Sequence, residues 1–255
     1  FFDNQSTLTL EGITLDGGKN SQIEATAPLI TSSGSLTLNN CTLQNNRNTS
    51  NTPGGAINIS AGTFTMNGGV IGSKVTENDS LKTYSWEYAA DASSYSNYAA
   101  AGGGGIYVAS GDVTIDGAKI SYNYTLDEDS NNIAHGGGIY IASGNLTLED
   151  TEVSYNRGYQ GAGVKCYSEN DNAGTVTLKH ATIKGNASNF SSWHNFGGGV
   201  VIKNFTLNCD TSTEASIIEE NYSGDGGALF LENTTSTLQN ITIQNNSYNE
   251  NGYKN

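Results

Sequence analysis

One short phrase recurs eight times along this chain of 255 residues: an apolar residue, Thr and a second apolar residue, followed in seven copies by a further apolar residue five places on. The copies are Leu8-Thr9-Leu10, Leu36-Thr37-Leu38, Phe64-Thr65-Met66, Val113-Thr114-Ile115, Leu146-Thr147-Leu148, Val176-Thr177-Leu178, Phe205-Thr206-Leu207 and, opening on Ser, Ser236-Thr237-Leu238. Between their third residues the steps are 28, 28, 49, 33, 30, 29 and 31. Self-similarity at such a period marks a solenoid. The phrases alternate with period two and favour Val, Ile and Thr, so the repeating unit is built of strands and not helices.

A second apolar pair, with one residue between its members, precedes most phrases: Ile57/Ile59, Ile106/Val108, Ile139/Ile141, Val164/Cys166, Val200/Ile202 and Leu229/Leu231. Glycine runs introduce these pairs, as at Gly102 to Gly105 and Gly136 to Gly138, and a single glycine separates pair from phrase, as at Gly111 and Gly144. Glycine at two corners allows positive φ or close backbone approach. This pattern predicts three short strands per coil, each pairing in parallel with its counterpart one coil away. The crossover rule makes the winding right-handed. The expected fold is all-β: a right-handed parallel β-helix of eight coils over residues 1–255, a single domain. At a strand spacing of ~4.8 Å, its length is on the order of 40 Å.

An apolar residue lies five places after the phrase in seven coils (Leu15, Leu43, Ile71, Ile120, Val153, Ile183, Ile243). Three residues further stands Asn46, Asn123, Asn156, Asn186 or Asn246, with Asn221 behind Ile218; Gly18 and Lys74 fill the other two places. A column of asparagines at one corner predicts a buried amide ladder, structural in role.

The net charge of −14 disfavours nucleic acid and anionic lipid surfaces as partners. No segment reaches the apolar length of a membrane span, so direct insertion is not expected. Phe1 and Asn255 lack the polar caps of a solenoid end, which suggests a piece of a longer protein. Cys41 and Cys166 occupy apolar columns and are expected to fill core; Cys209 sits alone at a turn. His135, His180 and His194 fall in different coils and are expected to be surface residues, with Asp150 and His180 sharing one turn-edge column. No metal or cofactor site is expected.

Function is sought where coils depart from the repeat. Extra length enters at one corner, between the asparagine and the glycine run. The first such loop, Val75 to Ala101, carries Tyr84, Trp86, Tyr88, Tyr95 and Tyr98. Tyr124 to His135 includes Asp127-Glu128-Asp129, and Ala187 to Phe196 carries Phe190, Trp193, His194 and Phe196. Loops leaving one corner form an aromatic and acidic ridge, a candidate contact surface for a glycan or protein. The alternative is that these rings fold back and seal the glycine corner. No set of residues is expected to be catalytic, although β-helices that act on polysaccharides remain the rival class. Ice binding would want two unbroken Thr columns; here the second contains Val70, Lys119 and Glu152.

Gly54-Gly55-Ala56-Ile57 and Gly226-Gly227-Ala228-Leu229, each after an apolar-x-x-Asn element (Leu43 to Asn46, Ile218 to Asn221), resemble the paired short motifs of the chlamydial polymorphic membrane protein repeat. Bacterial right-handed β-helix surface proteins more widely show similar repeats. The resemblance covers almost the whole chain, with Ile, Val or Leu where that family's second motif usually has Phe. It implies a passenger segment, secreted or displayed at the cell surface and anchored to the outer membrane through a region outside this chain; a non-catalytic monomer is expected. Such a segment would act as an adhesin toward host or neighbouring-cell surfaces; a plain spacer is the lesser alternative.

Overall fold

The computed structural model describes residues 1–18, 25–72, 96–125, 135–188, 196–211, 214–224 and 226–248. The described chain winds as a parallel β-helix, and the stacked strands form four sheets of eight, eight, eight and seven strands. Every strand pairing is parallel, between equivalent strands of neighbouring coils.

The glycine-led sheet holds the apolar pairs, for example Ile106–Val108 and Ile139–Ile141. The threonine sheet follows, with strands such as Asp112–Asp116, and then a third sheet with strands such as Lys119–Ser121. In the threonine sheet, the strand Asp112–Asp116 alternates exposed and buried residues throughout. In the inward columns Ile106, Val113, Ile115 and Ile120 are at most 1% exposed, and the columns make one continuous core that opens at the end coils, where Leu231 and Ile243 are exposed. Such burial stabilises by roughly 1.5–3 kcal/mol per large apolar side chain.

The expectation of three strands per coil misses the fourth sheet. Its strands are only two residues long, as at Arg47–Asn48, Tyr98–Ala99 and Tyr124–Thr125. Two residues are too few to show alternation, so the pattern of apolar residues could not announce them. In chain order, three long segments enter beside the strands of this narrow sheet. Residues 73–95 enter just before it, between Gly72 and Ser96, whereas 126–134 and 189–195 follow it, after Thr125 and Ser188.

The asparagine ladder forms, with seven members: Asn46, Asn97, Asn123, Asn156, Asn186, Asn221 and Asn246. Asn97, beyond the longest insertion, takes the place expected of Lys74. Each interior amide is fully engaged. The Oδ1 of Asn156 accepts the backbone N–H of Asn123 at 2.9 Å and its Nδ2 at 3.1 Å. The Asn156 Nδ2 in turn donates to Ile120 O and to Asn186 Oδ1.

The seventh threonine phrase is shifted by two residues. Val176, Thr177 and Leu178 pair with Leu207, Asn208 and Cys209, not with Phe205-Thr206-Leu207. Period-two alternation determines which face a residue takes but is blind to a slip of two. Cys209 consequently lies in a strand against the core and not at a turn. Cys41 and Cys166 are buried core residues as expected.

Candidate functional site: an aromatic cleft with a buried lysine

Of the rings expected to form a contact ridge, Tyr84, Trp86, Tyr88, Tyr95, Phe190, Trp193 and, with them, His194 lie outside the described residues, as do Asp127 to Asp129. Tyr98 differs from expectation. It belongs to a two-residue strand, is 3% exposed, and packs its ring 4.9 Å from that of Tyr124 with the Arg47 guanidinium 5.6 Å away. Its backbone passes close against Gly55, where a Cβ would stand 2.9 Å from the Tyr98 carbonyl. Phe196 is partly exposed and stacks on Phe230 at 4.5 Å.

Phe230 leads to an aromatic surface that the loops did not announce. The middle residue of each apolar pair points outward from the glycine-led sheet, and register stacks these residues coil on coil. From the fourth coil the column reads Tyr107, Tyr140, Lys165, Val201, Phe230. In the first three coils it reads Asp3, Thr31, Asn58. The change from small polar to large residues was visible in the chain, in the residue between each apolar pair.

A cleft of about 460 Å³ opens on this face, lined by His135, Tyr140, Tyr159, Gln160, Lys165, Tyr167 and Glu169. His135 and Gln160 occupy equivalent places, one residue before the glycine run of their coils. The strand Ile139–Ile141 presents Tyr140, and the strand Val164–Tyr167 presents Lys165 and Tyr167. Tyr107 meets Tyr140 edge-on at 5.3 Å, and the His135 ring lies 5.7 Å from that of Tyr159. His135 is thus part of an aromatic cluster, where an isolated surface histidine was expected.

Lys165 is the unusual group here. It is 1% exposed, and its Nζ donates to Gln160 Oε1 at 3.0 Å. The ammonium also faces the Tyr167 ring at 4.4 Å and the Tyr140 ring at 5.5 Å, within reach of cation–π attraction. Burial first, then the neighbouring Lys203 charge, brings its pKa down to about 7. Burial likewise pushes the Tyr140 hydroxyl up to about 12.

Beside it, a polar chain is closed on itself. Lys203 Nζ donates to the Tyr167 hydroxyl at 3.0 Å, and that hydroxyl donates to Glu169 Oε1 at 2.9 Å. Lys203 also pairs with Glu169 at 3.4 Å and Glu232 at 3.3 Å. The Tyr167 hydroxyl and Lys203 hold the exposed Glu169 carboxyl below its usual range. The Tyr167 oxygen and the Glu232 carboxylate raise the pKa of Lys203.

Elsewhere, Asp150 and His180 make the expected turn-edge pair, Nδ1 to Oδ1 at 2.7 Å, with Glu214 at 3.3 Å from Nε2. Among the described residues no group of three His, Cys, Asp or Glu could hold a metal ion. None of their helices is long and apolar enough to cross a membrane.

Fold and cleft together define a parallel β-helix with an aromatic, cation-floored recess on one sheet. Comparison with family models, with curated proteins and with solved structures returns no match to this chain.

Proposed function

We propose that this chain is a non-catalytic binding β-helix, displayed at a cell surface, that contacts a glycan on a host or neighbouring cell through the cleft between Tyr140 and Tyr167. The carrying observation is the convergence of His135, Tyr140, Tyr159 and Tyr167 from successive coils onto one concave site. Tyrosine rings offer an apolar face for the C–H side of a sugar and a hydroxyl for its polar edge. A recess with few, placed polar groups among aromatic walls is the usual form of a small-ligand site.

Adhesion is favoured over polysaccharide cleavage by the lining. Hydrolysis uses two facing carboxylates, and among the described lining residues Glu169 is the one carboxylate, already engaged by Tyr167 and Lys203. A passenger-type surface location follows from the repeat resemblance and is part of the same proposal. Binding of the wild-type chain to a glycan array and to cells, beside the Tyr140→Ala and Tyr167→Ala variants, tests it. Loss of binding in both variants, with the fold retained, is expected. Equal binding by all three proteins would reject the cleft as the contact site.

A further inference from the structure

Five lysines lie among the described residues, and four of them have a carboxylate partner: Lys119 and Lys184 with Glu152, Lys179 with Glu149, Lys203 with Glu169 and Glu232. Lys165 is the exception, although it is by far the most deeply buried, at 1% exposed. Among the described residues no carboxylate lies within 4.0 Å of its Nζ: Glu169 acts on it only from farther off and is itself engaged by Tyr167 and Lys203, and the hydrogen-bond partner of Lys165 is the neutral Gln160. A buried cation without a counter-ion is costly, and proteins ordinarily pair such groups. Two tyrosine faces offset part of that cost without supplying negative charge.

Resting on the glycan-binding proposal above, we infer that the cleft selects an acidic sugar at the end of an otherwise uncharged glycan, whose carboxylate becomes the counter-ion of Lys165. The ammonium has three N–H donors and gives one to Gln160, leaving donors for an acceptor in the cleft. Lys203 is not an equivalent site, because Tyr167, Glu169 and Glu232 already occupy it. The rings of Tyr140 and Tyr167 flank the amine, placing apolar walls on both sides of the anion. A polyanionic chain is disfavoured by the net charge of −14, which repels distant negative charges while a single carboxylate gains the local contact. The class is therefore a terminal uronic or sialic type of sugar and not a sulfated polymer.

A proton linkage follows. The groups facing Lys165 are His135, Tyr140, Tyr159, Tyr167, Glu169 and Lys203. With the amine near neutrality in the empty cleft, an anion beside it favours the charged form, so binding takes up a proton. Affinity then falls by up to about tenfold per pH unit above 7. Imidazole also titrates in this region, so comparison with a Lys165 variant isolates the amine.

The test is calorimetric titration with sialyllactose and with glucuronosyl and galacturonosyl disaccharides, each against its neutral counterpart, at pH 6, 7 and 8.5. Wild-type protein should prefer the acidic member about tenfold or more at pH 6, and the preference should shrink by pH 8.5. Lys165→Met should abolish the preference and its pH dependence; Lys165→Gln provides a second neutral variant. Equal affinity for acidic and neutral members, a preference unmoved by either variant, or no binding of any acidic member at millimolar concentrations would overturn the carboxylate assignment. Neutral sugars that still bind in a Tyr140-dependent way would leave the cleft reading standing. Binding indifferent to Tyr140→Ala would sink that reading as well.

Discussion

Gly138 lies directly against the carboxamide of Asn156: a Cβ there would stand 3.0 Å from Nδ2 and 2.6 Å from the carbonyl oxygen of Gly163. Gly105 with Asn123, Gly163 with Asn186 and Gly199 with Asn221 repeat the arrangement. Glycine run and asparagine column are therefore two sides of one buried stack. Ala56 and Ala228 hold the same register place in two other coils, but at these four glycines the neighbouring carbonyl and carboxamide leave no room for a Cβ without a shift.

Replacing Gly138 by Ala should accordingly destabilise by about 2–3 kcal/mol, since the Gly163 carbonyl on one side and the Asn156 carboxamide on the other must give way. Gly117, at φ 61 with nothing within 4 Å of its would-be Cβ, is the control. Gly117→Ala pays only left-handed backbone strain, about 1 kcal/mol. Urea unfolding of the two variants should separate them clearly; equal losses would refute the packing argument.

Asn156→Ala removes the acceptor of the Asn123 N–H and Nδ2 and the donor to Ile120 O. With these groups buried, the loss should be roughly 3 kcal/mol, several times the net value of one hydrogen bond. Amide hydrogen exchange should show faster opening in the coils on either side, because each coil is held by its neighbours. Unchanged protection at Asn123 would contradict the ladder.

Lys165 gives the protein a pH-dependent stability of definite sign. Its folded pKa of about 7 lies below the 10.5 of a free lysine, so between those values the unfolded chain binds more protons. The burial penalty is complete below pH 7 and relieved as pH rises toward 10.5. Lys165→Met should therefore be more stable than wild type at pH 6, by on the order of a few kcal/mol, with the difference closing at alkaline pH. Thermal melts of the pair across that range would show it; a gap that widens with pH would reverse the argument.

Asp150→Asn serves as a contrast at an exposed site. The pair with His180 is short, at 2.7 Å, yet both side chains are about half exposed. Its loss should cost less than about 1 kcal/mol and become undetectable in 1 M salt.

Much of this architecture was legible before any coordinates. The apolar columns, the coil count and the asparagine ladder follow from spacing, and Asn46, Asn123, Asn156, Asn186, Asn221 and Asn246 all stand where that spacing put them. Asn97 was missed because 23 residues, 73–95, separate it from its own coil. By sequence Tyr98 reads as a loop residue for the same reason. The shift at Leu207 escaped because a slip of two residues preserves alternation.

The cleft was not legible, although each of its residues was plain to see. Sequence alone determined the winding and which residues point inward, because a period of two assigns every strand residue to a face. What only the tertiary structure decided is which outward residues become neighbours. Tyr140, Lys165 and Val201 lie in one column although loops of unequal length separate them, and stacking then buries an amine that an isolated strand would expose. The physical reason is that coil-to-coil register, set by backbone hydrogen bonds across the stack, converts distant positions into adjacent ones.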